Sequence, residues 1–274
     1  MIRITTLLLL VLFTKVSFAQ DSLVTTAKQK DIEFTLSIRS NQLWRGNITT
    51  DQPVVISQVE FAINKSRTLK MGIWGGSAIS NNANGTQYKE IDYFIHYEKN
   101  GISIKLWDFF TSTNIVAERA SDNIFNYSKS RTAHLLNLAM SYQLQNNFPL
   151  IFETDILVYG GANAREVLLN NNGDYLRNKY STYVGLIYPS KLNDEYSLDA
   201  FIGFGFAFNP GDPNKGETTF LFGNGKNKFD IVNLGFTITR DVNILNKVNI
   251  PVSMTTLWNP SNQFARVQIA AKIF

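Results

Sequence analysis

Glu90-Ile91-Asp92-Tyr93-Phe94-Ile95-His96-Tyr97-Glu98 carries an apolar or aromatic residue at every odd position, with polar or charged residues between them except at Phe94. A period of two puts these classes on opposite faces of an extended strand. The same comb recurs along the chain. Ile32, Phe34, Leu36 and Ile38 alternate with Glu33, Thr35, Ser37 and Arg39, and Leu136, Leu138, Met140, Tyr142 and Leu144 alternate with Asn137, Ala139, Ser141 and Gln143. Leu198, Ala200, Ile202, Phe204 and Phe206 oppose Gly203 and Gly205, and Val232, Leu234, Phe236 and Ile238 oppose Asn233, Gly235, Thr237 and Thr239. Weaker combs near 54–63, 69–79, 102–111, 150–159, 180–189, 250–258 and 264–274 bring the expected count to about twelve strands.

The connections alternate in length. Longer polar loops at 41–52, 81–88, 112–132, 160–179 and 209–228 take turns with tighter ones at 64–68, 99–101, 146–148, 190–195 and 241–248. Membrane barrels have this asymmetry, with long extracellular loops, short periplasmic turns and an even strand number that leaves both termini periplasmic. A soluble β-sandwich also alternates along its strands, but nothing in it requires long and short connections to take turns.

The N-terminus fits this reading. Met1-Ile2-Arg3, the apolar run Leu7–Phe13 and the small-residue exit Ser17-Phe18-Ala19 form a secretory signal with cleavage expected after Ala19. The run is shorter than the ~20 residues of a spanning helix. Arg3 and Lys15 leave with the signal, so the formal net charge of +4 falls by two to +2, which gives no argument for nucleic acid. The absence of cysteine excludes disulfides, thiolate metal sites and a lipid-anchored mature end. The expected organisation is a signal peptide at 1–19, a short periplasmic leader at 20–30 and one antiparallel transmembrane β-barrel at 31–274, in the outer membrane of a bacterium. The C-terminal strand ending at Phe274 is a candidate contact for the outer-membrane assembly machinery, although Lys272 and the phase of Val267, Ile269, Ala271 and Ile273 depart from the usual pattern.

Trp44, Trp107, Phe109, Phe110, Tyr159, Tyr188, Phe208 and Trp258 fall near proposed strand ends, where amphipathic rings favour the headgroup zone of the lipid. The inward comb positions carry Glu33, Arg39, Glu60, Lys70, Glu90, Asp92, Glu98, Lys105, Glu153, Asp155 and Asp199, eight carboxylates against three basic groups. Of these, Arg39, Glu60, Glu90, Asp92, Lys105, Glu153, Asp155 and Asp199 are the candidate functional residues. Such charges either form a cross-lumen ion-pair network or line a narrow wet pore, which the acidic excess would lean toward cations. Asp92 is expected to pair with Arg39 or Lys105. His96 and His134 are the only histidines, and the threading separates them. No nucleophile, zinc or phosphate-loop spacing accompanies them, so no enzyme activity, metal or cofactor is expected.

Ser40, Leu43-Trp44-Arg45-Gly46, Gln52-Pro53-Val54, Gly72-Ile73-Trp74-Gly75 and Glu90-Ile91-Asp92-Tyr93 together resemble the Gcw_chp-type family of conserved hypothetical bacterial outer-membrane proteins. The resemblance covers the first third of the chain and implies an outer-membrane barrel, with no activity to carry over. On physical grounds Gly46 suits a tight loop entry, and Arg45 is expected to snorkel to headgroup phosphates. The functional expectation is passage of ions or small solutes. The alternative is a closed barrel acting as scaffold, adhesin or receptor through its loops, with 112–132 and 160–179 the best recognition surfaces.

Overall fold

The computed structural model describes residues 31–83, 85–111, 123–128, 132–145, 148–160 and 177–274. The signal and leader, residues 112–122 and 129–131, and residues 161–176 lie outside these, and with them most of the two loops singled out for recognition. The strands are β1 (Ile32–Arg39), β2 (Gln42–Trp44), β3 (Asn47–Thr50), β4 (Val54–Ala62), β5 (Leu69–Ala78), β6 (Lys89–Lys99) and β7 (Ile102–Thr111). They continue as β8 (His134–Gln143), β9 (Ile151–Gly160), β10 (Ser181–Lys191), β11 (Tyr196–Ala207), β12 (Phe229–Ile244), β13 (Val248–Asn259) and β14 (Phe264–Lys272).

All of these except β2 and β3 close into an antiparallel barrel in the order β1-β14-β13-β12-β11-β10-β9-β8-β7-β6-β5-β4. The twelve wall strands are those the combs mark. The β6–β7 hairpin follows from local chemistry. Between β6 and β7, Asn100 and Gly101 have φ of 51° and 78°, the paired positive values of a two-residue turn whose twist matches its strands.

The barrel inverts the burial rule of a soluble protein. On β6 the outward Ile95 is 51 % exposed, while the inward Asp92 and His96 are 3 % and 6 % exposed. Met71, Ile73, Leu106, Phe236, Val267 and Ile269 continue the exposed apolar band around the wall. That is the arrangement of a barrel with hydrocarbon outside and polar groups within. Phe110, Tyr159, Tyr188, Phe208 and Trp258 lie on the outward face, on strand positions that pair with other outward residues or at the strand ends. Trp44, Trp107 and Phe109 do not: they turn into the lumen, where Trp44 meets Phe109 edge-on at 5.6 Å and Trp107 meets Phe94 at 4.4 Å. The expected girdle therefore loses three of its members to the interior.

Closure between β1 and β14 is brief. It covers the register Ser37–Lys272 to Arg39–Ala270, and Leu36 N–H reaches Phe274 O at 3.4 Å. The strand ends at Lys272, so the phase of Phe274 is set by the tail, and its ring lies against outward Phe34 at 6.2 Å.

Candidate functional site

The first long loop folds inward. Where β1 ends, Ser40 N–H donates to Ile269 O at 2.8 Å, Asn41 Nδ2 donates to Val267 O at 3.1 Å, and Gln268 Nε2 donates to Asn41 O at 2.7 Å. These side chains satisfy the β14 edge that β1 leaves, and Arg39 Nη1 donates to Gln42 Oε1 at 3.1 Å at the root of the departing chain. β2 and β3 then pair only with each other, through a two-residue turn at Arg45-Gly46 with φ of 49° and 83°. Both positive values make this the same hairpin turn as Asn100-Gly101.

The hairpin tip crosses the lumen. Arg45 Nη1 lies 2.7 Å from Glu153 Oε2, and Arg45 Nε lies 2.6 Å from Asp155 Oδ2. Both carboxylates are on β9, six places round the twelve-strand ring from β1 and so diametrically opposite. The guanidinium also sits over the Tyr183 ring at 4.8 Å, and Asn137 Nδ2 donates to Asp155 Oδ1 at 2.6 Å. Arg45 is thus a lumen residue, and the headgroup role expected for it is corrected. The reason is local: the hairpin enters the barrel, and two inward carboxylates attract the cation more strongly than a distant lipid surface.

Gly46 is fitted to this position. A Cβ there would lie 2.0 Å from Val232 O on β12, and Gly46 O accepts from Asn259 Nδ2 at 3.0 Å on β13. Trp44 fills the remaining width between Phe109 and Phe222, whose centroids are 5.6 and 5.3 Å away. Phe222 belongs to the connection 208–228, which also folds inward. Phe220 and Phe222 are fully buried against Leu157, Tyr183, Ala207 and Val232. Gly203 and Gly205 on β11 leave the space these rings need: a Cβ at Gly203 would lie 2.3 Å from Tyr183 Oη, and one at Gly205 would lie 2.7 Å from Phe220. An aromatic core is therefore assembled inside the barrel, around the hairpin.

The half of the lumen nearer the short turns is built differently. Glu60 on β4 accepts His96 Nδ1 at 3.2 Å and lies 3.5 Å from both Lys70 Nζ and Lys105 Nζ. Lys105 also lies over the Phe94 and Trp107 rings at 5.1 and 5.3 Å, and His96 Nε2 contacts Ser103 Oγ at 3.0 Å. These groups sit on β4 to β7, four adjacent strands, and line one wall without crossing the barrel.

The other candidates are placed as follows. Glu90 accepts Tyr88 Oη–H at 2.7 Å, while Asp92 Oδ1 accepts the Phe110 backbone N–H at 3.3 Å. Asp92 makes no ion pair with Arg39 or Lys105, contrary to expectation. Lys105 is held by Glu60, and Arg39 is held by Gln42 of the hairpin root. Asp199 faces inward from β11, opposite Pro189 and Thr237. The two histidines are in separate clusters. His134, on the outward side of β8, contacts Asp108 Oδ1 through Nδ1 and Ile124 O through Nε2, each at 2.7 Å. Tyr127 stacks on its ring at 4.0 Å and donates to Asp108 Oδ2 at 2.6 Å. Partial burial and that carboxylate push the Tyr127 phenol up to about 12, so it remains a donor. Among the described residues no group of three or more His, Cys, Asp or Glu side chains is arranged to hold a metal.

No family model matches the chain, and no curated relative is found. Among solved structures the barrel is similar to the NanC porin, at 7 % identity and a TM-score of 0.42, with 88 % of this chain and 98 % of that chain covered. It is also similar to the translocator domain of the autotransporter NalP from Neisseria meningitidis, at 12 % identity and a TM-score of 0.36, with 88 % and 85 % covered.

Proposed function

We propose that this protein is an outer-membrane channel for ions or small solutes whose lumen is constricted by its own first loop. The observation that carries the reading is the Arg45 ion pair to Glu153 and Asp155 on the opposite wall. Twelve strands enclose more space than their own side chains fill, and less than the open channel of a 16–18-stranded porin. What remains is occupied by the hairpin and by Phe220 and Phe222. In this reading the wall supplies the pore, the hairpin sets its conductance, lipid surrounds the exposed apolar band, and the assembly machinery engages the C-terminal strand.

The test is planar-bilayer conductance of the refolded full-length protein beside a variant in which residues 42–49 are replaced by a short Gly-Ser link. The native barrel is expected to pass little or no current, and the variant to give discrete ohmic steps. Silence from a folded variant would sink the channel reading and leave a closed barrel that works through its loops. Equal, large steps from both would show that the hairpin does not constrict.

A further inference from the structure

Among the described residues, the carboxylates on β9 have no cation from a wall strand. Glu60 keeps Lys70 and Lys105, which are fixed on wall strands of the same side, β5 and β7. Among the described residues, Glu153 and Asp155 pair only with Arg45, which is carried by a loop. If the hairpin is drawn back, two inward carboxylates remain in a largely dehydrated place with no counter-ion. An unpaired buried charge is costly, so the pair either takes up protons or attracts another cation.

The site is shaped for a particular kind of cation. Glu153 and Asp155 are two residues apart on one strand and lie 2.7 and 2.6 Å from separate nitrogens of one planar group, the Asp155 contact being one of charge without hydrogen-bond geometry. The Tyr183 ring offers its face to the same group, an attraction suited to a delocalised, weakly hydrated cation. Asn137 is fully buried and gives Nδ2 to Asp155, but its Oδ1 has no hydrogen-bond partner, leaving one acceptor to spare beside the pair. Gly185 makes room for the Glu153 carboxylate, since a Cβ there would lie 2.6 Å from Oε1.

We infer that Glu153, Asp155, Asn137 and Tyr183 form a binding site for organic cations bearing a guanidinium group, and that Arg45 is a tethered occupant of that site. The consequence for permeation rests on the channel reading above; the site itself does not. A solute of this class competes with Arg45 for the β9 carboxylates, and its entry and the release of the hairpin are the same exchange.

The probe is agmatine, titrated calorimetrically into the folded, detergent-solubilised full-length protein. Arg45→Ala is expected to bind it at least about tenfold more tightly than the native chain, because the tethered competitor is gone. Adding Asp155→Asn to that variant is expected to remove the gain, again by about tenfold. Agmatine should also raise the thermal midpoint of Arg45→Ala more than that of the native protein. If Arg45→Ala does not refold, Arg45→Lys serves instead, since it keeps a charge but loses the two-nitrogen fork. Equal binding to native and variant chains, or binding indifferent to Asp155→Asn, overturns the inference. In bilayers of Arg45→Ala the two readings separate: steps that agmatine fails to block remove the site, whereas agmatine binding to a folded variant that passes no current removes the channel.

Discussion

Glu60 and the Glu153–Asp155 pair are both inward carboxylates on wall strands, yet their cations reach them by different routes. Lys70 comes from β5, beside the β4 strand that carries Glu60, and Lys105 from β7, three places round the ring; both are held by the sheet itself. Arg45 comes from the far side of the ring, on a hairpin held by its own contacts. An ion pair between neighbours decorates a wall and leaves the lumen as wide as the side chains allow. An ion pair across the diameter spans it. The same residue types therefore serve as lining in one half of the barrel and as a latch in the other, and topology alone makes the difference.

The contrast can be broken in order of expected effect. Arg45→Ala leaves two inward carboxylates without a partner, at a cost of about 3–5 kcal/mol, and should raise conductance; unfolding in denaturant and bilayer recording check both. Glu60→Gln is expected to cost less, about 1–3 kcal/mol, and to leave conductance unchanged. A rise in current from Glu60→Gln equal to that from Arg45→Ala would erase the distinction between the two halves. Gly46→Ala must pay for a Cβ pressed on Val232 O at a positive φ, a cost of about 1–3 kcal/mol. It should loosen the hairpin without touching any charge, so partial opening is expected.

Smaller effects lie outside the lumen. Tyr127→Phe removes the bond to Asp108 and is expected to cost about 0.5–1.5 kcal/mol with no change in current. At the short-turn end, Arg67 Nε donates to Asp31 Oδ1 at 2.7 Å, and this bond with the guanidinium charge lowers the Asp31 pKa. Because the folded value is the depressed one, any stability it confers is present above the ordinary carboxylate range and is lost as pH falls through the folded value. NMR titration should place Asp31 below that range, and Arg67→Ala should return it.

The wall was legible in the sequence because strand alternation and turn chemistry are local. Ile91, Tyr93, Ile95 and Tyr97 mark the outward face of β6 by themselves, and Asn100-Gly101 marks its turn. The lumen contents were legible only in part. The inward comb positions carry the carboxylates, but nothing near Arg45 in the chain says that Glu153 and Asp155 stand opposite it. That depends on ring closure, which places β9 across from β1. A signal was nonetheless present. Gln42-Leu43-Trp44 and Asn47-Ile48-Thr49-Thr50 flank Arg45-Gly46 as short strands flank a two-residue turn, so the segment reads as a hairpin rather than as a rim loop. A rim loop has no need of Trp44, whereas a hairpin inside a barrel does, because its ring fills the space between Phe109 and Phe222. The pairing expected for Asp92 failed because both supposed partners are held elsewhere, Lys105 by Glu60 and Arg39 by Gln42.

The most direct test of the latch is a charge exchange read by single-channel conductance. Arg45→Asp places like charges at the contact and is expected to open the barrel. Adding Asp155→Arg restores an opposite pair across the same diameter and is expected to close it again. If the exchanged pair conducts like Arg45→Asp alone, or if Arg45→Asp stays as silent as the native protein, the ion pair across the lumen is not what holds the hairpin in place.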